Sequence, residues 1–497
     1  MLFNSVEFFV FFTSTICGFF ILGSFKQQFA LGWLVICSLF FYGWWNPPFV
    51  LLILGSITFN FIVGRLLSQR RNRTLLIFGV VANLLAIGYF KYCNFFITSL
   101  SWALSDDFNM QAIILPLGIS FFTFQQIAYL ADAYTRQAQE NNFTNYALFV
   151  SFFPQLIAGP IVHHGDILPQ FKQASTFRPH KSAILTGFVI FFLGLFKKVV
   201  VADGLAPYAN AVFNHADEGG VVTFFEGWGG ALAYSLQLYY DFSGYSDMAI
   251  GLACMLNIRL PLNFNSPYRQ MSIIEFWRCW HITLSRFLRD YLYIPLGGSR
   301  KGGSMRRYAN LMITMLLGGL WHGAAWNFVF WGGLHGFYLL LNHGWRYHFN
   351  ERRQSLGSFA KPAMRCLSWG LTFFSVVVAW VFFRATTFDG AFAVIRGMSG
   401  LEGFVLPDQI IQLMPLLKCI PWLEGTGTLH LLGGGTLLGA VEQFSMILLF
   451  LGASIFSLNL YQMSGRQRLV LFALIFAFTI QRVFFSPAPS EFIYFQF

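Results

Sequence analysis

A histidine set in an apolar, glycine-rich run is the residue of this chain best suited to chemistry. It is His322, in the stretch "NLMITMLLGGLWHGAAWNFVFWGGLHGFYLLLNHGW" (Asn310 to Trp345). An imidazole shielded from water stays neutral, so it can take a proton from a hydroxyl or carry an acyl group itself. The competing reading is a core histidine held by a carbonyl, and spacing alone leaves the two even. His335 lies thirteen residues on and would point elsewhere on a continuous helix. A second histidine, His281, stands in "SIIEFWRCWHITLSRFLRDYLYIPLGG" (Ser272 to Gly298). Two acids, Asp241 and Asp247, interrupt the apolar run "QLYYDFSGYSDMAIGL" with Ser243, Tyr245 and Ser246. Ionisable groups inside such runs pair with bases or line a wet cavity. For each of them singly, a structural hydrogen-bond cluster is the simpler reading. No metal-ligand spacing accompanies them, and no metal is expected.

These residues must be held by helices. Residues 275–292 have a helical period. Glu275, Arg278, Ser285, Arg286, Arg289 and Asp290 fall on one face. Phe276, Trp277, Trp280, Leu284, Phe287, Leu288 and Tyr291 fall on the other. The pattern predicts an amphipathic helix at the membrane interface, with Glu275–Arg278 and Arg286–Asp290 at pairing distance. His281, on the border, is expected to turn toward a tunnel, and Trp277 and Trp280 toward lipid or neighbouring helices. Gly319 with Gly323, and Gly332 with Gly336, have the spacing that lets membrane helices approach closely.

The composition says what surrounds them. Of 497 residues, 56% are hydrophobic, 19% aromatic and only 11% charged, against about 25% charged in an average soluble domain. A soluble fold could not cover its surface with so little charge, so the chain is an all-α polytopic membrane protein. The net charge of +11 and a pI near 9.3 follow the positive-inside rule and anionic lipid rather than nucleic acid. Candidate spans are 8–24, 29–45, 47–64, 75–91, 113–132, 144–162, 184–202, 223–240, 308–320, 324–342, 367–383, 431–455 and 468–485. Several fall short of the ~20 residues of a simple crossing and suggest tilted or re-entrant pieces, roughly 11–13 segments in all. The basic loop Arg65 to Arg73 is assigned to the cytoplasm, which puts the N-terminus outside. Lys172 to Lys181, Arg300 to Arg307, Arg346 to Arg365, and Arg466 with Arg468 are further cytoplasmic candidates. The first span lacks a basic lead and a cleavage site and is expected to remain. Seven scattered cysteines suggest neither disulfides nor zinc. Residues 403–430 suggest an outer loop with a short interfacial helix. The chain reads as one membrane domain, 1–497, with a motif-bearing core at about 90–345. It lacks a G-x-S-x-G elbow, a P-loop and a dinucleotide fingerprint.

"FWRCWHITLSRFLRDYLYIPLGG" followed by "LLGGLWHGAAWNFVFWGGLHG" resembles the membrane-bound O-acyltransferase (MBOAT) superfamily, and more closely its alginate O-acetyltransferase branch. "YFKYCNFF", "LPLGISFFTFQ", "FPQLIAGPIV" and "QLYYDFSGYSDMAIGL" resemble that branch at matching positions, up to about residue 390. "IVHHGD", with His163 and His164, is outside the resemblance. The resemblance implies a ring of tilted helices around a central tunnel. It implies that His322 is the active-site histidine and His281 its upstream polar partner. It further implies acetyl-CoA as a cytoplasmic acyl donor, with no permanently bound cofactor. The acceptor would lead to an exported or cell-wall polysaccharide, with an outer-side partner protein completing the transfer, in a bacterial inner membrane.

On that reading His281, or a backbone N–H near Gly323, supplies a hydrogen bond to the thioester oxygen as charge develops there. Arg286, Arg289 and Lys301 would attract the phosphates of coenzyme A, or equally anionic lipid headgroups. Two alternatives stand beside it: a D-alanyl or longer-chain acyltransferase of the same superfamily, and a non-catalytic glycan or lipid transporter. The transporter's expected marks, internal repeats and paired broken helices, are missing from the sequence.

Overall fold

The structure is a computed structural model. It describes residues 1–105, 113–299, 303–354, 360–413, 420, 422–426, 437–456, 459–485 and 491–493. Among the described residues, seven helices are long and apolar enough to cross a membrane: Val6–Phe25, Pro48–Gln69, Arg73–Leu104, Lys181–Asp217, Pro362–Arg384, Leu438–Phe456 and Gly465–Phe484. Gln27–Gly43 is apolar but shorter. Ile119–Thr135, Phe224–Met255, Gly303–His322 and Trp326–Gln354 are the more polar helices, and they carry most of the residues singled out above.

Local sequence sets the helix ends. Ser5 accepts from the amide of Phe8, and Asn72 from that of Leu75. Thr223 and Glu226 cap each other's amides in a reciprocal box. Outward positions such as Val10, Leu51, Leu85, Leu371 and Phe478 are exposed apolar groups, as a lipid-facing surface requires. Phe224–Met255 is different, because almost all of its residues are buried. It packs along Lys181–Asp217 through glycines. A Cβ on Gly187 would lie 2.5 Å from the carbonyl of Gly251, and one on Gly194 would lie 2.6 Å from that of Gly244. Backbone therefore meets backbone.

The two acids of the central helix are paired there, as expected. Lys198 Nζ lies 2.7 Å from Asp241 and Lys197 Nζ 2.6 Å from Asp247. Both lysines come from a π turn, Lys197–Ala202, inside the neighbouring helix.

The basic loops gather on one face. Arg71 donates to the carbonyl of Thr135, and His164 meets the carbonyl of Gln137. Gln170 donates to Arg259, and Asn257 to the carbonyls of Thr176 and Arg178. Arg306 donates to Leu296, and Arg307 to His343. The opposite face holds the N-terminus, Trp44 and Trp45, and the turn after His322. Trp326 there donates to Ser99, and Thr386 and Thr387 to Asp217.

Three expectations need correction. Segment 144–162 is not one span. It breaks at Phe152 between Phe143–Ser151 and Phe153–Leu156 and continues as irregular chain. Segment 403–430 is more ordered than a loop. Strands Phe404–Pro407 and Leu423–Thr426 pair in parallel around the helix Asp408–Leu413, while residues 414–419, 421 and 427–430 lie outside the described ones. The helix predicted over 275–292 is two helices, Ile273–Cys279 and Ile282–Leu288, followed by a π turn, Arg289–Tyr293. The break falls at Trp280–His281, where His281 has φ +42°, a left-handed conformation.

Candidate active site

The break has a physical cause. The extended chain at Asn263–Asn265 forms main-chain hydrogen bonds to both sides of it. Asn265 N donates to Cys279 O at 2.9 Å, and Ile282 N to Asn263 O at 2.9 Å. The Asn263 side chain completes the clamp. Its Oδ1 accepts from Thr283 Oγ1 at 2.9 Å and lies 3.1 Å from His281 Nδ1, while its Nδ2 donates to Ser246. Because Oδ1 also faces the amide of Thr283, the amide cannot be reversed, so His281 donates through Nδ1. That fixes Nε2 as the lone-pair nitrogen.

His281 is wholly buried and turned into the protein rather than toward lipid. Its ring centroid lies 6.4 Å from that of His322. Trp280 is buried against Trp380, at 4.9 Å between ring centroids, and Trp277 donates to His335 Nδ1 at 3.2 Å. Both tryptophans thus face neighbouring helices. Glu275 pairs with Arg346 on a helix far along the chain, and Arg286 makes the expected i,i+4 pair with Asp290 at 3.9 Å.

His322 is the last residue of Gly303–His322. The chain turns through residues 323–325 and returns as Trp326–Gln354. Glycines make this hairpin tight: a Cβ on Gly319 would lie 3.1 Å from Gly332 Cα and would collide with the carbonyl of Phe328. His335 is therefore not one helix on from His322, as a continuous run implied. It lies on the returning helix, with Trp331 between them; that ring is 5.0 Å from His322 and 4.8 Å from His335. Trp321, Trp331 and Phe383 surround the His322 imidazole edge to face.

A cavity of about 570 Å³ opens on the face opposite the basic loops and has His322 in its wall. Trp44 and Trp45, Lys91, Leu115–Phe121 and Trp321 contribute to the same lining.

On the basic side, rings continue the path from Trp321. Phe124 stacks on Trp321 at 5.4 Å and on Phe287 at 4.3 Å; Phe287 meets Tyr291, and Tyr291 stacks on His163. Tyr291 donates to Asp132 at 2.7 Å, and His164 lies 3.1 Å from the same carboxylate. Burial, and then the Arg286 guanidinium, hold the His163 imidazole below its ordinary range. Burial and the Asp132 hydrogen bond push the Tyr291 phenol up.

Arg289 is exposed and bonded to Asp290 at 2.7 and 3.1 Å. Lys301 lies outside the described residues. Among the described residues there is no group of three metal-ligating side chains. Sequence reasoning gave no role to Asn263, Thr283, Lys91 or Trp331. Asn263 stands among other polar residues in "LPLNFNSPYRQ", so no sequence signal singled it out.

The fold and the site define a polytopic membrane protein with two buried histidines at the meeting point of its two faces. Residues 66–378 match the membrane-bound O-acyltransferase family, MBOAT. The chain is 44% identical over 438 residues to a peptidoglycan O-acetyltransferase of Helicobacter pylori, covering 82% of this chain and 81% of that one. It is 41% identical over 419 residues to a probable alginate O-acetylase AlgI of Azotobacter vinelandii, covering 82% and 80%. A teichoic acid D-alanyltransferase of Bacillus subtilis is 27% identical over 234 residues, covering 45% and 58%. The chain belongs to the MBOAT family and is an O-acyltransferase.

Proposed function

We propose that the chain moves an acetyl group from acetyl-CoA, bound on the basic, cytoplasmic face, toward a polysaccharide on the other side of a bacterial inner membrane. An outer-side partner protein would complete the transfer. The observation that carries this reading is His322, at the wall of the outward cavity with His281 behind it toward the basic face. In the reaction the thioester C–S bond breaks and a new C–O ester bond forms. In a direct transfer His322 takes the proton of the acceptor hydroxyl and passes it to the departing thiolate. In a covalent route the imidazole displaces the thiolate, which leaves with the ring's own N–H proton, and the acceptor hydroxyl then displaces the imidazole and returns a proton to it. With its Nδ1–H held by Asn263, His281 presents only the Nε2 lone pair and accepts a proton rather than donating one, so the backbone N–H near Gly323 is the donor to the reacting carbonyl. Arg289 and Lys301 attract the donor's phosphates. The Arg289–Asp290 pair is exposed, so exchanging it for a phosphate costs little. Acetyl is favoured over D-alanyl because the O-acetyltransferase relatives are more similar, and over nearly twice the length, than the D-alanyltransferase.

The test is His322→Ala, with ester-linked acetate on the exported polysaccharide and membrane protein yield measured together. Acetate is expected to vanish at normal yield. Near-normal acetate would remove His322 from the reaction.

A further inference from the structure

The helix Arg73–Leu104 changes its winding at Gly88–Tyr92, where five residues form a π turn. Such a turn carries an extra residue and re-aims the side chains around it, often at functional sites. Here it delivers two consecutive side chains to one place, 230 residues away in sequence. Lys91 Nζ donates to the carbonyl of Trp321 at 2.6 Å and to that of His322 at 3.0 Å. Tyr92 donates its hydroxyl to the carbonyl of Leu320 at 2.9 Å. These three carbonyls close the helix that ends in His322, and carbonyls in the last turn have no partners within their own helix.

Helix ends are commonly closed by their own chain, through a left-handed glycine and its amides. In this helix a distant pair of side chains does it, and one bond goes to the main chain of His322 itself. The ammonium also suits the negative end of the helix. Lys91 is buried, and it lines the same cavity as His322.

We propose that Lys91 and Tyr92 are positioning residues for acyl transfer. They lock the final turn of Gly303–His322 and so fix the imidazole relative to the acceptor cavity. The inference rests on the reading of His322 given above. Transfer between two bound groups is steep in geometry, and a shift of about 1 Å costs on the order of 10²-fold in rate.

The test uses membranes of the native cell carrying each full-length variant, so that an outer-side partner is present, with radiolabelled acetyl-CoA as donor and the cell's own exported polysaccharide as acceptor. Lys91→Met keeps the length of the side chain and removes its donors. It is expected to lower kcat on the order of 10²-fold, with KM for both substrates within about threefold and with unchanged yield of folded protein. Lys91→Arg, which can still donate to two carbonyls, is expected to restore much of kcat, and Tyr92→Phe to give a smaller fall. A kcat for Lys91→Met within about threefold of the parent would overturn the proposal. So would a change confined to KM, or a loss that only tracks folded yield. Should Lys91→Met not fold, Lys91→Arg and Tyr92→Phe decide: an unchanged kcat in Tyr92→Phe, or a dead Lys91→Arg at full yield, counts against it. His322→Ala run in parallel separates the two ideas. An active His322→Ala sinks the reading of His322, whereas a dead His322→Ala beside a fully active Lys91→Met sinks only the positioning role.

Discussion

At the scale of single residues, the two histidines stand out in the sequence, but spacing alone leaves His322 even between core and catalysis and His281 at a helix border; their paired role comes from the resemblance. Their supporting groups do not stand out. Asn263 lies eighteen residues before His281, in chain with no helical period, and nothing local marks it as the acceptor that sets the imidazole's tautomer. The geometry now makes a prediction for it. His281→Ala should cut turnover strongly while leaving donor affinity nearly unchanged, because its Nε2 lone pair acts beside His322 in the transfer and not on the donor's phosphates. Asn263→Ala should imitate it in weaker form. Removing a buried acceptor costs about 1–3 kcal/mol and lets the ring turn, so a fall of roughly 10–100-fold in kcat is expected, with little change in KM. Kinetics of the two variants and of the double variant check this. If the losses simply multiply, the residues act independently, and Asn263 does not work through His281.

At the scale of elements, periodicity found the helices and missed their interruptions. Residues 275–292 keep a helical pattern on both sides of the break, because Ile273–Cys279 and Ile282–Leu288 are each amphipathic. What breaks the run is a main-chain partnership with Asn263–Asn265, which carries no side-chain signature. The left-handed His281 costs of order 1–3 kcal/mol and persists because the clamp over-determines it. The π turns at Gly88–Tyr92 and Lys197–Ala202 were hidden for the same reason. Glycine spacing, by contrast, did report a contact: Gly319 and Gly332 meet where the hairpin around His322 is tightest. Gly332→Ala should therefore push its methyl toward the carbonyl of Met315 and separate the helices, at roughly 1–3 kcal/mol of overpacking. Gly344→Ala, on the same helix, meets nothing within 4 Å and should be neutral. Thermal melting in detergent, with acetyl transfer measured beside it, compares the two. Equal stability of both variants would mean that the close approach at Gly332 does not matter.

At the scale of the whole molecule, composition was enough to place the chain in a membrane, and the count of basic residues carries the expectation for its orientation. The physical reason is that both are sums over many residues, so they survive errors in any one span. The route between the faces is different, since it depends on how helices from both ends of the chain meet. The structure joins the two in one arrangement. Arg71, Arg178, Arg306 and Arg307 gather on the face reached from His281 through Phe124, Phe287 and Tyr291, while His322 lines a cavity on the other. Positive charge resists translocation, so the basic face should be cytoplasmic and the cavity should open outward. Single cysteines introduced at Ser68 and Ser304 should then resist a membrane-impermeant maleimide in intact cells and react after permeabilisation. A cysteine at Trp45, on the cavity rim, should react in intact cells. The native Cys17 and Cys366 are exposed, so these experiments need them replaced first. Labelling of Ser68→Cys from outside would invert the orientation, place His322's cavity on the donor side, and require acyl transfer to run in the opposite direction through the same pair of histidines.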